Sequence, residues 1–316
     1  MTSPSPANLA ERLLGGDRRA LARALTMIER GGADGAAIVE AIFARTGRAH
    51  LIGWTGAPGV GKSTVVTAVA RRLRSADETI GIVAVDPSSP FTGGALLGDR
   101  IRMQSLAGDR GVFIRSMAAR DARGGLARAT VDAARVLDAA GFDRVMVETV
   151  GAGQDDVEIA YAVDTVVLID VPHLGDDIQA NKAGLTEIAD IFVVNKADQG
   201  DADRTAATIR QSLSLAPTPG DWKHPIVKVS ATTGDGVEDL IRALDRHRDY
   251  LSSHEQAVTR RRDRLKREII NISQEELLSR LLARLGDGVL TDFVEQTARR
   301  EISPRDAALR LIDKGK

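Results

Sequence analysis

The sequence contains no cysteine among its 316 residues. Disulfides, zinc–thiolate sites, iron–sulfur clusters and a catalytic thiol are therefore excluded. Aromatic residues make up only 3% of the chain, and the formal net charge is −1. Both values argue against a nucleic-acid-binding protein, which needs a basic surface and usually aromatic rings for base stacking.

Long apolar runs are also missing. No run approaches the roughly 18 residues that span a bilayer, and residues 1–10 lack the basic start and apolar core of a signal peptide. We therefore expect a cytoplasmic protein. The hydrophobic content of 43% over 316 residues is sufficient for one large α/β domain with smaller attachments.

The hydrophobic pattern divides the chain into three zones. The first zone is residues 1–49, in which residues 7–49 show apolar positions at helical spacing with a break at Gly31-Gly32; this pattern predicts an N-terminal helical hairpin. Residues 50–250 alternate short apolar runs with helical stretches, which predicts a doubly wound, mostly parallel α/β sheet. The predicted strands are residues 51–54, 80–85, 112–114, 144–147, 165–171, 191–194 and 226–229.

Residues 251–316 return to a helical pattern, with an apolar stripe among many charges. Breaks are expected at Asn271-Ile272-Ser273 and at Gly286-Asp287-Gly288. Such an arm has too little mass for a core of its own. It must therefore pack either on the main domain or on a second copy of the chain.

A glycine-rich loop follows the first predicted strand. The segment Gly56-Ala57-Pro58-Gly59-Val60-Gly61-Lys62-Ser63 matches the phosphate-loop pattern G-x-x-x-x-G-K-[ST] and precedes a predicted helix. Glycines let backbone N–H groups surround phosphate oxygens, and the helix directs its positive end toward them. Lys62 is expected to reach the β- and γ-phosphates and Ser63 to bind Mg²⁺, with Thr64 completing the nucleotide site.

A second motif predicts which nucleotide binds. The segment Asn195-Lys196-Ala197-Asp198 follows an apolar run and matches the N-K-x-D guanine motif. An aspartate carboxylate can accept hydrogen bonds from N1–H and the 2-amino group of guanine, and adenine has neither donor. The segment Ser230-Ala231-Thr232 after the last predicted strand matches the further element that supports the base. The sequence thus favours GTP over ATP.

Acidic residues end two of the predicted strands. Asp86 and Glu148 lie where the carboxyl ends of parallel strands face the ligand crevice, and carboxylates there are suitable partners for Mg²⁺. Asp99 follows the glycine-rich residues 93–98. The residues therefore predict Ser63, Asp86 and Glu148 as metal ligands, and they leave Asp99 open between a further metal ligand and the N-cap of a helix.

Three longer segments resemble the MeaB/ArgK/MMAA GTPases, the methylmalonyl-CoA mutase-associated family. They are Asp86-Pro87-Ser88-Ser89-Pro90 with Gly93-Gly94-Ala95-Leu96-Leu97-Gly98-Asp99-Arg100-Ile101-Arg102-Met103; Glu148-Thr149-Val150-Gly151-Ala152-Gly153-Gln154; and Gly175-Asp176-Asp177-Ile178-Gln179-Ala180-Asn181-Lys182-Ala183-Gly184. The resemblance is strong over residues 50–250 and extends in outline to both helical ends.

The resemblance implies a homodimeric GTPase whose residues 251–316 form the dimerisation arm. It implies GTP/GDP and Mg²⁺ as ligands, and a role in gating cofactor loading and protecting or reactivating an adenosylcobalamin-dependent acyl-CoA mutase, with a cobalamin adenosyltransferase as a further candidate partner. Slow basal hydrolysis that a partner stimulates is expected. The implied catalytic and switch residues are Lys62, Asp99, Glu148, Asp176 and Lys182.

Two other functions remain open from the residues. A nickel metallochaperone GTPase has a related architecture, although such proteins usually carry cysteine or histidine ligands, and the five histidines here show no ligand spacing. A kinase associated with amino-acid transport is the second alternative, and the guanine motif argues against it.

Overall fold

The computed structural model describes residues 5–87, 103–119, 125–149, 163–172, 188–215 and 221–314. The chain divides into two compact units, Met1–His254 and Glu255–Lys316. Within the described residues, no helix has both the length and the apolar character needed to cross a membrane.

The first unit is built on a seven-stranded sheet. Its strands are β1 (His50–Thr55), β2 (Ile80–Pro87), β3 (Val112–Ala119), β4 (Arg144–Glu148), β5 (Thr165–Asp170), β6 (Ile191–Val194) and β7 (Ile226–Lys228). Their order is β3-β2-β4-β1-β5-β6-β7, and every pairing is parallel. Each strand lies where an apolar run predicted one, so the predicted fold class is confirmed.

Helices cover both faces of the sheet because its strands are apolar on both sides. On one face pack α4 (Lys62–Arg74) and α7 (Val237–Ser253), together with Val167 and Ile169 of β5. On the other face, Val166 and Leu168 of the same strand join a second core. That core includes the N-terminal helices, α5 (Gly125–Ala139) and apolar residues of α6 (Ala202–Leu215).

The N-terminal segment forms three helices instead of the predicted hairpin: α1 (Pro6–Leu14), α2 (Arg18–Arg30) and α3 (Ala33–Ile42). The unpredicted break lies at Gly15 and Gly16, where Gly16 adopts φ +85°. Asp17 then caps α2, because its carboxylate accepts the backbone N–H groups of Arg19 and Ala20 at 2.8 and 3.1 Å.

The second unit consists of α8 (Glu255–Leu285), α9 (Asp287–Ala298) and α10 (Pro304–Lys314). The break predicted at Asn271-Ile272-Ser273 is wrong, since α8 runs through it for 31 residues. Ser273 fits inside the helix because its hydroxyl donates to the carbonyl of Ile269 at 2.7 Å. The predicted break at Gly286 is confirmed, with φ +76° immediately before α9.

Candidate guanine-nucleotide site

The phosphate loop connects β1 to the first turn of α4. Its glycines are required by the backbone, since Gly56, Gly59 and Gly61 adopt φ values of +144°, +83° and +91°. A Cβ at Gly56 would lie 2.3 Å from the carbonyl oxygen of Ile169, and one at Gly61 would lie 2.5 Å from Nδ2 of Asn195. The loop is thus held tightly against the neighbouring strands at two points.

Lys62 folds back over this loop. Its ammonium group donates to the carbonyl oxygens of Gly56 and Ala57 at 2.8 and 3.2 Å, and the residue is buried. A positive charge therefore lies within the loop, next to the N-terminal end of α4. Both features favour an anionic ligand there.

Ser63 and Glu148 meet beside the loop. The Ser63 hydroxyl donates to Oε1 of Glu148 at 2.6 Å, and both residues are buried. Glu148 reaches this position because β4 pairs with β1, which sets it opposite Trp54. A hydroxyl and a carboxylate are hard oxygen ligands of the kind that Mg²⁺ prefers. The pair therefore fits a Mg²⁺ ion held next to bound phosphates.

Asn195 connects the predicted guanine motif to two other loops. Its Nδ2 donates to the carbonyl of Val60 in the phosphate loop at 2.9 Å. Its Oδ1 accepts the backbone N–H of Ala231 at 3.3 Å. These two hydrogen bonds connect the three nucleotide segments predicted from the sequence through a single side chain. Asn195 is itself buried.

The rest of the guanine motif lies around this connection. Lys196 adopts φ +55° and donates from Nζ to the carbonyl of Gly59 at 3.2 Å. Asp198 is exposed, as a residue that receives a base from solution must be. In the adjacent loop Ser230 is buried, and its hydroxyl lies 3.4 Å from that of Thr232.

Several of the other predicted site residues lie partly or wholly outside the described part of the chain. Asp86 lies within β2, opposite Ala118, so the strand extends beyond the end expected from the sequence; its side chain is outside the described part. Asp99, Asp176 and Lys182 lie outside the described residues. Thr64 is exposed on the first turn of α4.

The sequence interpretation missed Asp170 at the end of β5. Its backbone carbonyl accepts the N–H of Asn195 at 2.8 Å, and its Oδ1 accepts the N–H of Val171 at 2.8 Å. Asp170 thus joins the guanine motif to the strand beside the phosphate loop. Its position near the end of an apolar run is the same signal that identified Asp86 and Glu148.

The close approach of Gly61 to Asn195 predicts a specific energetic coupling. Gly61→Ala adds both backbone strain and a clash with Asn195, whereas Gly59→Ala adds strain alone because no atom lies within 4 Å of the position that its new Cβ would take. We expect Gly61→Ala to lower the free energy of unfolding more than Gly59→Ala. In the double variant Gly61→Ala/Asn195→Ala, the loss in free energy of unfolding should be smaller than the sum of the two single losses by at least ~1 kcal/mol.

Urea unfolding of the nucleotide-free variants, followed by circular dichroism, measures this coupling. The pair Gly59→Ala and Asn195→Ala serves as the control and should be additive to within about 0.5 kcal/mol. Equal coupling in both pairs would show that Asn195 does not press on Gly61.

The sequence model of the family "Methylmalonyl Co-A mutase-associated GTPase MeaB" matches residues 21–285. A protein of Pyrococcus horikoshii named as a GTPase is 44% identical over 309 residues, covering 97% of each chain. The mouse protein "Methylmalonic aciduria type A homolog, mitochondrial" is 32% identical over 232 residues, covering 72% of this chain and 56% of the mouse protein.

One solved structure is similar over almost the whole chain. It is described as "Crystal structure of LAO/AO transport system kinase", with 26% sequence identity and a TM-score of 0.72 over 99% of this chain and 98% of the other. With the family model matched across both the phosphate loop and the guanine motif, the chain belongs to the MeaB family of GTPases, which bind GTP or GDP together with Mg²⁺.

Proposed function

We propose that this GTPase is a chaperone of an adenosylcobalamin-dependent acyl-CoA mutase, most specifically methylmalonyl-CoA mutase, in the cytoplasm. Its nucleotide state would gate cofactor loading and protect or reactivate the mutase. The observation that carries the nucleotide part is Asn195, which hydrogen-bonds to both the phosphate loop and the base-supporting loop. The partner class rests on the printed description of the matching family.

The residues of the site have distinct roles in this proposal. Lys62 and the backbone N–H groups of residues 59–63 hold the β- and γ-phosphates, and Asp198 accepts hydrogen bonds from guanine. Ser63 and Glu148, 2.6 Å apart, hold Mg²⁺, with Asp86 as a further acidic partner. The metal ion, when bound, neutralises charge that develops on the transferred phosphoryl group.

Asp99, Asp176 and Lys182 remain in the proposal as switch residues on the strength of the family resemblance. In the sequence, Asp99 follows β2, and Asp176 and Lys182 follow β5. These strands carry Asp86 and Asp170 at their carboxyl ends. A partner that positions these three side chains at the nucleotide would complete the catalytic site, so we expect hydrolysis to be slow without the partner and faster with it.

We further propose that the unit Glu255–Lys316 pairs two copies of the chain. Its long helix α8 exposes large apolar side chains along its length, including Ile269 at 64% and Leu277 at 68%. An exposed apolar surface of this extent is typical of an interaction site. A second copy offers the same surface, and self-complementary contacts of this kind are usual in homodimers.

Sedimentation analysis of Leu277→Glu tests this pairing. The wild type should sediment at about twice 33.7 kDa, and the variant should shift toward the monomer because a charge replaces an exposed apolar contact. Ser279→Glu adds the same charge to an exposed position of the same helix that does not face the same side as Leu277, and it should stay dimeric. A wild type that sediments as a monomer would rule out the arm as a dimerisation element.

The similarity to a solved structure described as a transport system kinase leaves a kinase as the second candidate. A kinase would transfer the γ-phosphate to a protein, and a GTPase would release it as inorganic phosphate. The guanine-specific motif and the family of GTPases favour release. The fate of labelled phosphate therefore belongs in the principal experiment.

The principal experiment measures turnover of γ-labelled GTP and ATP by the purified protein, alone and with an adenosylcobalamin-dependent mutase from the same source. We expect slow release of inorganic phosphate from GTP, little from ATP, and a several-fold increase with the mutase. Asp198→Asn should lower GTP turnover at least ~100-fold and favour xanthosine triphosphate, because asparagine offers a donor to the 2-oxo group.

Asp201→Asn is the matched control, because Asp201 is exposed and its carboxylate accepts the N–H of Arg204 at the start of α6, which asparagine can also do. This variant should retain GTP turnover. GTP turnover that no such mutase alters would contradict the chaperone role. Label retained on a protein would favour the kinase.

A further inference from the structure

Five polar side chains form a buried row at the amino edge of the sheet, opposite the nucleotide site. Arg144, His50 and Thr165 are the first residues of β4, β1 and β5, and Asp190 directly precedes β6. His247 enters the row from α7. All five residues are at most 4% exposed. We call this row the histidine clamp.

The side chains of the histidine clamp follow one another at contact distances. Nη1 of Arg144 lies 3.2 Å from Nδ1 of His50, and Nε2 of His50 lies 2.6 Å from Oγ1 of Thr165. The same hydroxyl lies 2.7 Å from Nδ1 of His247, whose Nε2 is 3.4 Å from Oδ1 of Asp190. The clamp therefore crosses β4, β1, β5 and β6, which are neighbours in the sheet.

The direction of donation along the clamp is fixed by Arg144. A guanidinium has donors only, so Nδ1 of His50 must accept and its proton must be on Nε2. His50 then donates to Thr165, and the Thr165 hydroxyl donates onward to Nδ1 of His247. His247 in turn carries its proton on Nε2, toward the Asp190 carboxylate. Both imidazoles are therefore neutral in this arrangement.

Charged groups hold both ends of the clamp. Arg144 donates from Nε and Nη2 to the Glu78 carboxylate at 2.7 and 3.2 Å, and from Nη2 to Asp245 at 2.6 Å. Arg248, on α7, lies 3.6 Å from the same Asp245 carboxylate. At the other end, Oδ2 of Asp190 accepts the backbone N–H of Val166 at 2.9 Å. Neither end can easily reverse its direction of donation.

A second proton on either imidazole would disrupt this pattern. On His50 it would set an N–H group against the Arg144 guanidinium, donor against donor. Burial, and after it the positive charge of Arg144, holds the pKa of His50 well below its ordinary value of 6.5. On His247 the additional proton would place the Thr165 hydroxyl between two N–H donors, so its own hydrogen would lose the acceptor that Nδ1 of His247 now provides.

The strands that the clamp holds are those that carry the nucleotide loops at their other ends. β1 leads to the phosphate loop, β4 ends at Glu148, β5 ends at Asp170, and β6 leads to Asn195. We propose that the histidine clamp is a pH-sensitive device, which keeps these four strands in register while both imidazoles are neutral. It makes the fold less stable in mildly acidic solution, and it weakens the nucleotide site at the lower pH where the imidazoles of the folded protein gain a proton.

The sign of the effect follows from the folded and unfolded states. At pH values above about 6.5, His50 is neutral in both states and the clamp contributes fully. Below that value the unfolded chain binds a proton that the folded chain resists. The folding equilibrium constant should therefore fall by about tenfold for each pH unit through this one histidine.

Urea unfolding between about pH 5.5 and 7.5 tests the proposal on wild type, His50→Gln and His254→Gln. His254 is exposed on the same first unit, so its variant should keep the wild-type dependence of the free energy of unfolding on pH. In His50→Gln the ratio of folding constants between the two pH limits should shrink by about tenfold relative to wild type. Identical slopes in all three proteins would overturn the proposal.

Nitrogen-15 NMR of the imidazoles in the wild-type protein gives a second readout that does not depend on a variant folding. At pH 7 the rings of His50 and His247 should both show the neutral Nε2–H tautomer. An imidazolium or an Nδ1–H tautomer on either ring would overturn the donation scheme. These two measurements need no nucleotide, so they are independent of the proposed mutase function.

The connection to the nucleotide site is measured with GDP. The ratio of wild-type to His50→Gln affinity should stay constant while His50 of the folded protein is neutral and fall at the lower pH where that ring gains a proton. Comparing the two proteins cancels the titration of GDP itself. A ratio that stays constant at a pH where nitrogen-15 NMR shows His50 protonated in the folded protein would overturn the part of the proposal that links the clamp to the nucleotide site.

Discussion

The position of β1 between β4 and β5 is the constraint on which the nucleotide site depends. Parallel pairing aligns the carboxyl ends of these strands, so the loops that follow them open at one edge of the sheet. Trp54 stands opposite Glu148, and the backbone N–H of Thr149 donates to the carbonyl of Trp54 at 3.0 Å. This register brings Glu148 to Ser63, which lies 85 positions away in the sequence.

Asn195 extends the same constraint to the guanine motif. Its amide spans the space between the carbonyl of Val60 and the N–H of Ala231, and its backbone N–H is held by Asp170. Base recognition and phosphate binding therefore share one rigid support. Gly61 must lack a side chain because the amide nitrogen of Asn195 occupies that space.

Much of this arrangement could be predicted from local sequence patterns. The phosphate loop and the N-K-x-D motif are short segments whose chemistry depends on residue spacing, and the buried parallel strands appear as apolar runs. The neighbours of β1 could not be predicted in this way, because strand order depends on packing between distant segments. For the same reason, the hydrogen bonds of Ser63 and Asn195 and the contribution of Asp170 emerge only from the fold.

Two sequence predictions in the helical ends are wrong, and the histidine clamp could not be predicted from the sequence. Each has a specific physical reason. The apolar stripe of residues 9–28 continues across Gly15 and Gly16, so the pattern alone did not show the break that Asp17 caps. Ser273 fits within α8 through a hydrogen bond to Ile269, which composition does not reveal. His50 and His247 are far apart in the sequence, and no local pattern links them. Only the fold brings both rings into hydrogen-bonding distance of the Thr165 hydroxyl.

Calorimetric titration of the purified protein with GDP and with ADP, each in the presence of Mg²⁺, tests most directly whether these connected loops form one guanine-nucleotide site. The account predicts saturable binding of one GDP per chain, little or no heat with ADP, and loss of GDP binding in Lys62→Ala. ADP binding as tight as that of GDP, or GDP binding that Lys62→Ala leaves unchanged, would contradict it.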